Sequence, residues 1–189
     1  RREVAVALSK VQADLARQSL GLKVYDCYRP ARAVAAMARW AQQPDTAPPT
    51  KLFFPALEKR TLFAYGYIAA HSAHSTGNAV DLTLIPLSNS EPITAHSRAS
   101  GNPGPAPCTA PAAQRAPDNS LDMGTGFDCF DAKSYTASAA ISAGQKRARE
   151  TLIAAMRKRG FHNYFREWWH FSFGTRGEAY DFAIEGRQQ

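Results

Sequence analysis

His74-Ser-Thr-Gly-Asn-Ala-Val-Asp81 sets a histidine and a carboxylate seven residues apart around a glycine. On one continuous strand that odd offset puts the two side chains on opposite faces. On one helix the spacing would align them, but Gly77-Asn78 is a poor helix interior. A turn over Ser75–Asn78 resolves the conflict. His74 then comes in on one arm, Asp81 lies on the returning strand, and both face one pocket. The reading predicts a hairpin with Asn78–Leu87 as its strand, and therefore an antiparallel sheet. Taken alone, the stretch fits a polar turn without a ligand as well as it fits half of a metal site.

The rest of the chain supplies helices around that hairpin. Val4, Leu8, Val11 and Leu15 recur at helical spacing, so residues 1–20 read as an amphipathic helix stopped by Gly21. Leu22–Tyr28 alternates as a strand does. Arg29 precedes Pro30, which biases it to extended geometry, and Pro30 suits the first turn of a helix over Ala31–Gln42. Arg29 thus falls at a strand-to-helix junction, where a side chain can face a cleft. Residues 43–67 show no clear pattern. Residues 86–118 hold seven of the twelve prolines and read as a long loop or insertion. Ser142 and Gln145 form a capping box that opens a helix to about Arg159, ended by Gly160, and an aromatic strand follows over Tyr164–Phe173. Helices and hairpin strands without a βαβ rhythm predict an α+β fold. We expect one domain over residues 1–189, with a small antiparallel sheet, flanking helices and a central cleft.

At 189 residues, 44% hydrophobic and 21% charged, the chain can bury a sizeable core. No apolar run reaches membrane-spanning length. The net charge is +7, with basic clusters at Lys146–Arg149 and Arg157–Arg159. No aromatic or Gly-rich reading surface accompanies them, so they predict a solvated helix face and no nucleic-acid partner. The positive balance also suits work near anionic cell-wall polymers. The three cysteines include no C-x-x-C pair, which argues against a cysteine zinc site. Two readings stand for Cys108 and Cys129: a loop-closing disulfide in an oxidising compartment, or free thiols in a cytosolic protein.

Glu167-Trp168-Trp169-His170 changes the weight of the first stretch. It adds a second histidine of ligand type, with a carboxylate three positions earlier. Two histidines and one carboxylate form a catalytic zinc set that leaves a position for water, and a nearby carboxylate can take that water's proton. In this reading His74, Asp81 and His170 are ligands and Glu167 is the base; the two carboxylates could chemically exchange roles, but the i,i+3 pair Glu167 and His170 suits one ligand and one group just beyond it. Trp168 and Trp169 read as core or pocket wall. Arg29 is either the group that stabilises an oxyanion or an ordinary ion-pair partner of an acid such as Asp26. His71 reads as surface or packing, and His96 and His162 receive no role.

Ser72-Ala-His74-Ser-Thr-Gly77-Asn-Ala79-Val-Asp81-Leu-Thr-Leu, Tyr28-Arg29-Pro30, Met123-Gly124 with Phe127-Asp128, and Glu167-Trp-Trp-His170 occur in one order along most of the chain. Together they resemble the VanX-type D-alanyl-D-alanine dipeptidases, a branch of the zinc D,D-peptidases of cell-wall metabolism. The resemblance implies one Zn2+ per chain held by His74, Asp81 and His170, with Glu167 as the catalytic base and Arg29 stabilising the tetrahedral intermediate. It implies that Asp128, helped by the Ser72 region, receives the substrate's free ammonium, which a carboxylate suits. The implied partner is a small dipeptide, the implied function D-Ala-D-Ala hydrolysis in wall metabolism or glycopeptide resistance. The alternative is a D,D-carboxypeptidase or endopeptidase acting on longer peptidoglycan peptides; the Trp-Trp pair before His170 favours the dipeptidase branch. Three departures stand out. The Pro-rich segment is longer than the family's, the family's N-terminal portion is missing from this chain, and Cys27 stands where a small residue is expected. A bacterial source and a periplasmic or cell-envelope location are expected over a cytoplasmic one.

Overall fold

The computed structural model describes residues 1–44, 48–87, 106–175 and 177–183. In chain order its regular elements are α1 (Arg2–Ala16), β1 (Leu20–Asp26), α2 (Ala31–Gln42), β2 (Ala79–Pro86), α3 (Ala143–Arg157), β3 (Phe161–Asn163) and β4 (His170–Phe173), with short 3₁₀ turns between them. The strands form one antiparallel sheet in the order β1-β2-β4-β3, so the expected α+β class holds. Among the described residues, no helix is long and apolar enough to cross a membrane.

β2 is a central strand of the sheet and is buried from Ala79 to Leu84, with Val80, Leu82 and Leu84 in the main core and Asp81 on the opposite face toward the cleft. On one side Val11 and Leu15 of α1 pack with Leu152 and Met156 of α3 in the main core, which also takes in Trp168 and Trp169, each 1% exposed. The core reading of both tryptophans is borne out, with Trp168 Nε1 donating to Thr125 Oγ1 at 2.9 Å. A second apolar cluster, with Phe54, Leu62, Ile68 and Phe130, packs under α2. It orders the stretch after residue 47, which showed no sequence pattern.

Several expectations are corrected. α1 stops at Ala16, not at Gly21. The reversal is made by Ser19 at φ 56°, and Gly21 lies inside β1, opposite Ile85. The expected aromatic strand Tyr164–Phe173 is a strand only over its last part, β4, and β3 lies just before it. Residues 164–169 turn between β3 and β4, and Asn163 Nδ2 donates to the carbonyls of Glu167 (2.9 Å) and His170 (3.0 Å), which closes the turn. The basic clusters are not simply a solvated face. Arg149 is 1% exposed and donates to the carbonyls of Met123, Tyr135 and Lys133, while Lys158 and Arg159 both pair with Asp14. The capping box is as expected: Ser142 Oγ accepts from Gln145 N, and Gln145 Oε1 accepts from Ser142 N. Of the Pro-rich 86–118 segment, residues 88–105, His96 among them, lie outside the described residues. Its later part is tied down by a Cys108–Cys129 disulfide, the bonded one of the two states weighed for those cysteines.

Candidate metal centre

The sheet register builds the centre. Asp81 on β2 stands opposite His170 on β4 and opposite Asp26 on β1, so three polar side chains form one row on one face. A bulge between Val24 and Asp26 brings Asp26 into that row.

His74 arrives from outside the sheet. The expected hairpin arm is instead a 3₁₀ turn, Ala73–Thr76, that leads into β2. Ser72 Oγ caps it by accepting from His74 N at 3.2 Å. Gly77 at φ 70° then swings the chain into the strand, a left-handed conformation that L side chains resist. The turn is the predicted one, but it works by handing His74 over the edge of the sheet rather than by folding one strand onto another.

The imidazoles and the carboxylate converge. His74 Nε2 lies 3.1 Å from His170 Nδ1 and 3.2 Å from Asp81 Oδ1, and His170 Nδ1 lies 2.9 Å from Asp81 Oδ1. Donor atoms around a tetrahedral metal with bonds of about 2.0–2.1 Å stand roughly 3.3 Å apart, so this triangle fits a divalent metal ion. The tautomer fits as well. The Cys27 carbonyl can only accept, so at 2.7 Å it fixes the proton of neutral His74 on Nδ1 and leaves the Nε2 lone pair toward the other two donors. His74 and Asp81 are each 2% exposed, so the donors are shielded from competing water.

The remaining predicted residues line the same cleft of about 450 Å³: Arg29, Ser72, Asp128 and Glu167. The ion-pair reading of Arg29 is met, and the pair leaves the guanidinium lining the cleft. Its Nε and Nη2 donate to Asp26 Oδ2 at 2.9 and 2.5 Å, while Nη2 reaches within 4.0 Å of Asp81 Oδ2. Asp26 therefore aims the guanidinium into the cleft. The Ser72 hydroxyl is engaged in capping the His74 turn. His71 and His162 sit exposed on the rim of the cleft.

Four carboxylates and one guanidinium share this space, and the titration of the acids reflects it. Burial, then the neighbouring charges of Asp81 and Asp128, raise Glu167 well above the ordinary range. Burial, then Asp81, push Asp128 up to about 7. Burial works against ionised Asp81 too, but its contacts with His170 and His74 outweigh it and hold the group at about 2. The arrangement thus offers one firmly ionised carboxylate beside two carboxyls whose proton affinity is raised.

Two contributors were invisible as sequence signals. The Cys27 carbonyl could come from any residue, and Asn163 has no motif of its own. Asp26 was legible only as a possible partner of Arg29.

The family model described as D-ala-D-ala dipeptidase matches residues 1–97 and 112–185. The chain is 31% identical over 169 residues to a D-alanyl-D-alanine dipeptidase of Enterococcus faecium, covering 89% of this chain and 70% of that protein. To the D-alanyl-D-alanine dipeptidase of Streptomyces coelicolor it is 29% identical, over 90% of this chain and 71% of the relative. To that of Escherichia coli it is 26% identical, over 90% of this chain and 64% of the relative. These relatives are bacterial. The convergent His74, Asp81 and His170 donors and the match along nearly the whole sequence lead to one conclusion: this chain belongs to the D-Ala-D-Ala dipeptidase family.

Proposed function

We propose that this protein is a zinc-dependent dipeptidase that hydrolyses D-Ala-D-Ala to two molecules of D-alanine, with His74, Asp81 and His170 as the metal ligands. The triangle of donor atoms, 2.9–3.2 Å on each side, carries the reading, and the family match gives it a substrate. Two imidazoles and one carboxylate are the donor set of many catalytic zinc sites. When bound, zinc polarises the scissile carbonyl and makes a water more acidic.

The chain's own groups complete the reaction. Glu167 takes one proton from the attacking water and delivers it to the leaving amine nitrogen; the water's second proton, lost from the new carboxyl, ends on the released amine, so the amide becomes a carboxylate and an ammonium. A carboxyl whose proton affinity is raised by burial suits both halves of that task near neutral pH. Arg29, braced by Asp26, faces the oxygen on which negative charge develops. Asp128 receives the free ammonium of the substrate, and docking of a cation favours its ionised form. Ser72 acts by holding the turn that presents His74. We further place the protein in an oxidising compartment, periplasm or cell envelope, because a structural disulfide persists there.

The test is metal analysis together with release of D-alanine. Zinc-loaded protein should bind one ion per chain and cleave D-Ala-D-Ala but not L-Ala-L-Ala. A fully metallated chain that releases no D-alanine would sink the assignment.

A further inference from the structure

The Cys108–Cys129 disulfide bonds the residue that immediately follows Asp128. Cys108 lies within residues 98–111, the stretch that the family model leaves unmatched. The bond therefore joins a segment outside the family pattern to one inside it.

Asp128 sits between several anchors. Before it, Gly126 N donates to the Cys108 carbonyl at 2.8 Å, and the Phe127 ring stacks on Tyr25 at 4.3 Å. After it, the disulfide holds residue 129, and Phe130 N donates to the Phe53 carbonyl at 2.7 Å. Cys108 is itself fixed, its N–H donating to Leu52 O at 2.9 Å. Asp128 has φ 55°, in the left-handed region that a residue with a Cβ seldom occupies. Such a conformation persists only where the surroundings over-determine it. Both cysteines are buried, Cys108 at 8% and Cys129 at 0% exposure, so the bond acts on the cleft through the backbone and not by touching a ligand.

We propose that Cys108 and Cys129 are positioning residues whose disulfide holds the Asp128 carboxylate where it meets the substrate's ammonium. The proposal rests on the reading of Asp128 given above. Removing the bond leaves the metal ligands and Glu167 in place and loosens only the amine contact.

The test compares zinc-loaded wild type, the Cys108→Ala/Cys129→Ala double variant and Asp128→Asn on D-Ala-D-Ala and on N-acetyl-D-Ala-D-Ala. In the double variant KM for the free dipeptide should rise about tenfold, with kcat within about twofold and metal content unchanged. Its preference for the free over the acetylated substrate should shrink by the same factor. A merely structural bond would lower the melting temperature and leave KM and that preference as they were, which overturns the proposal. If Asp128→Asn raises KM and the double variant does not, the disulfide's role alone falls. If Asp128→Asn leaves KM unchanged, the reading of Asp128 falls, and the proposal with it. Should the double variant fail to fold, Cys108→Ala alone keeps the Cys129 thiol in its buried place and carries the same expectation.

Discussion

Asp81 and Glu167 are both carboxylates in one cleft, and their surroundings drive them apart. Asp81 lies against two imidazoles, which keep it ionised, whereas Glu167 is recessed beside two other acids and holds its proton more tightly. Sequence spacing gave Asp81 to the metal and Glu167 to the proton, and the titration of the two groups is consistent with that division. Changing Glu167 to Gln keeps the shape of the side chain and removes its basicity. We expect kcat to fall by about 10²–10⁴-fold, the usual contribution of a positioned acid–base group, with zinc content unaltered. Measuring turnover and bound metal on the same sample separates the two effects. Loss of metal along with activity would instead make Glu167 a ligand. The residue types of the centre were readable because a metal site needs imidazole and carboxylate. The Cys27 carbonyl that orients His74 was not, since a backbone oxygen leaves no trace in side-chain identity.

Elements were legible where a local rule governs them and illegible where a distant contact does. The capping box of α3 depends on residues three apart, and it formed as read. The turn over residues 164–169 that separates β3 from β4 depends on one asparagine side chain bonding carbonyls further along the chain, and strand propensity cannot report that. Arg149 makes the same point for charge. It lies in a run of basic residues on a polar-looking helix, yet its guanidinium is buried and binds three carbonyls at 2.6–3.0 Å, joining α3 to the segments around Met123 and Tyr135. Removing the side chain takes this donor from the Met123 and Lys133 carbonyls, while Tyr135 O keeps Ser138 N at 2.9 Å. Arg149→Ala should therefore cost about 3 kcal/mol or more of stability. For a chain of this size that is a fall of roughly 6–12 °C in melting temperature. Arg149→Lys should recover only part of it, because an ammonium lacks the planar fork that spans three acceptors. Equal melting temperatures for wild type and Arg149→Ala would show the network to be incidental.

At the scale of the molecule, the candidate centre joins parts that the sequence keeps far apart. His74 comes from a turn outside the sheet, Asp81 from the central strand and His170 from its neighbour, 96 residues after His74. The cleft lies between the main core under α1 and α3 and the smaller cluster under α2. The row of register-matched residues explains why two ligands could be recognised from short motifs. The strands had only to pair antiparallel to bring them together. The small cluster was not legible, because Phe54, Leu57, Leu62, Phe63 and Tyr67 come from a stretch with neither helical nor strand period and meet Phe130 from far along the chain. A metal bound by three such distant elements binds the folded chain and not the unfolded one, so occupancy must stabilise the fold. At a thousandfold excess over Kd the gain is about 4 kcal/mol, which for this chain length raises the melting temperature by roughly 8–16 °C. We expect a chelator to lower the melting temperature of zinc-loaded wild type by that amount and added zinc to restore it. His74→Ala removes one ligand, so its melting temperature should respond little to either treatment. Melting curves that do not shift with zinc in the wild type, or that shift equally in both proteins, would place any metal elsewhere than among His74, Asp81 and His170.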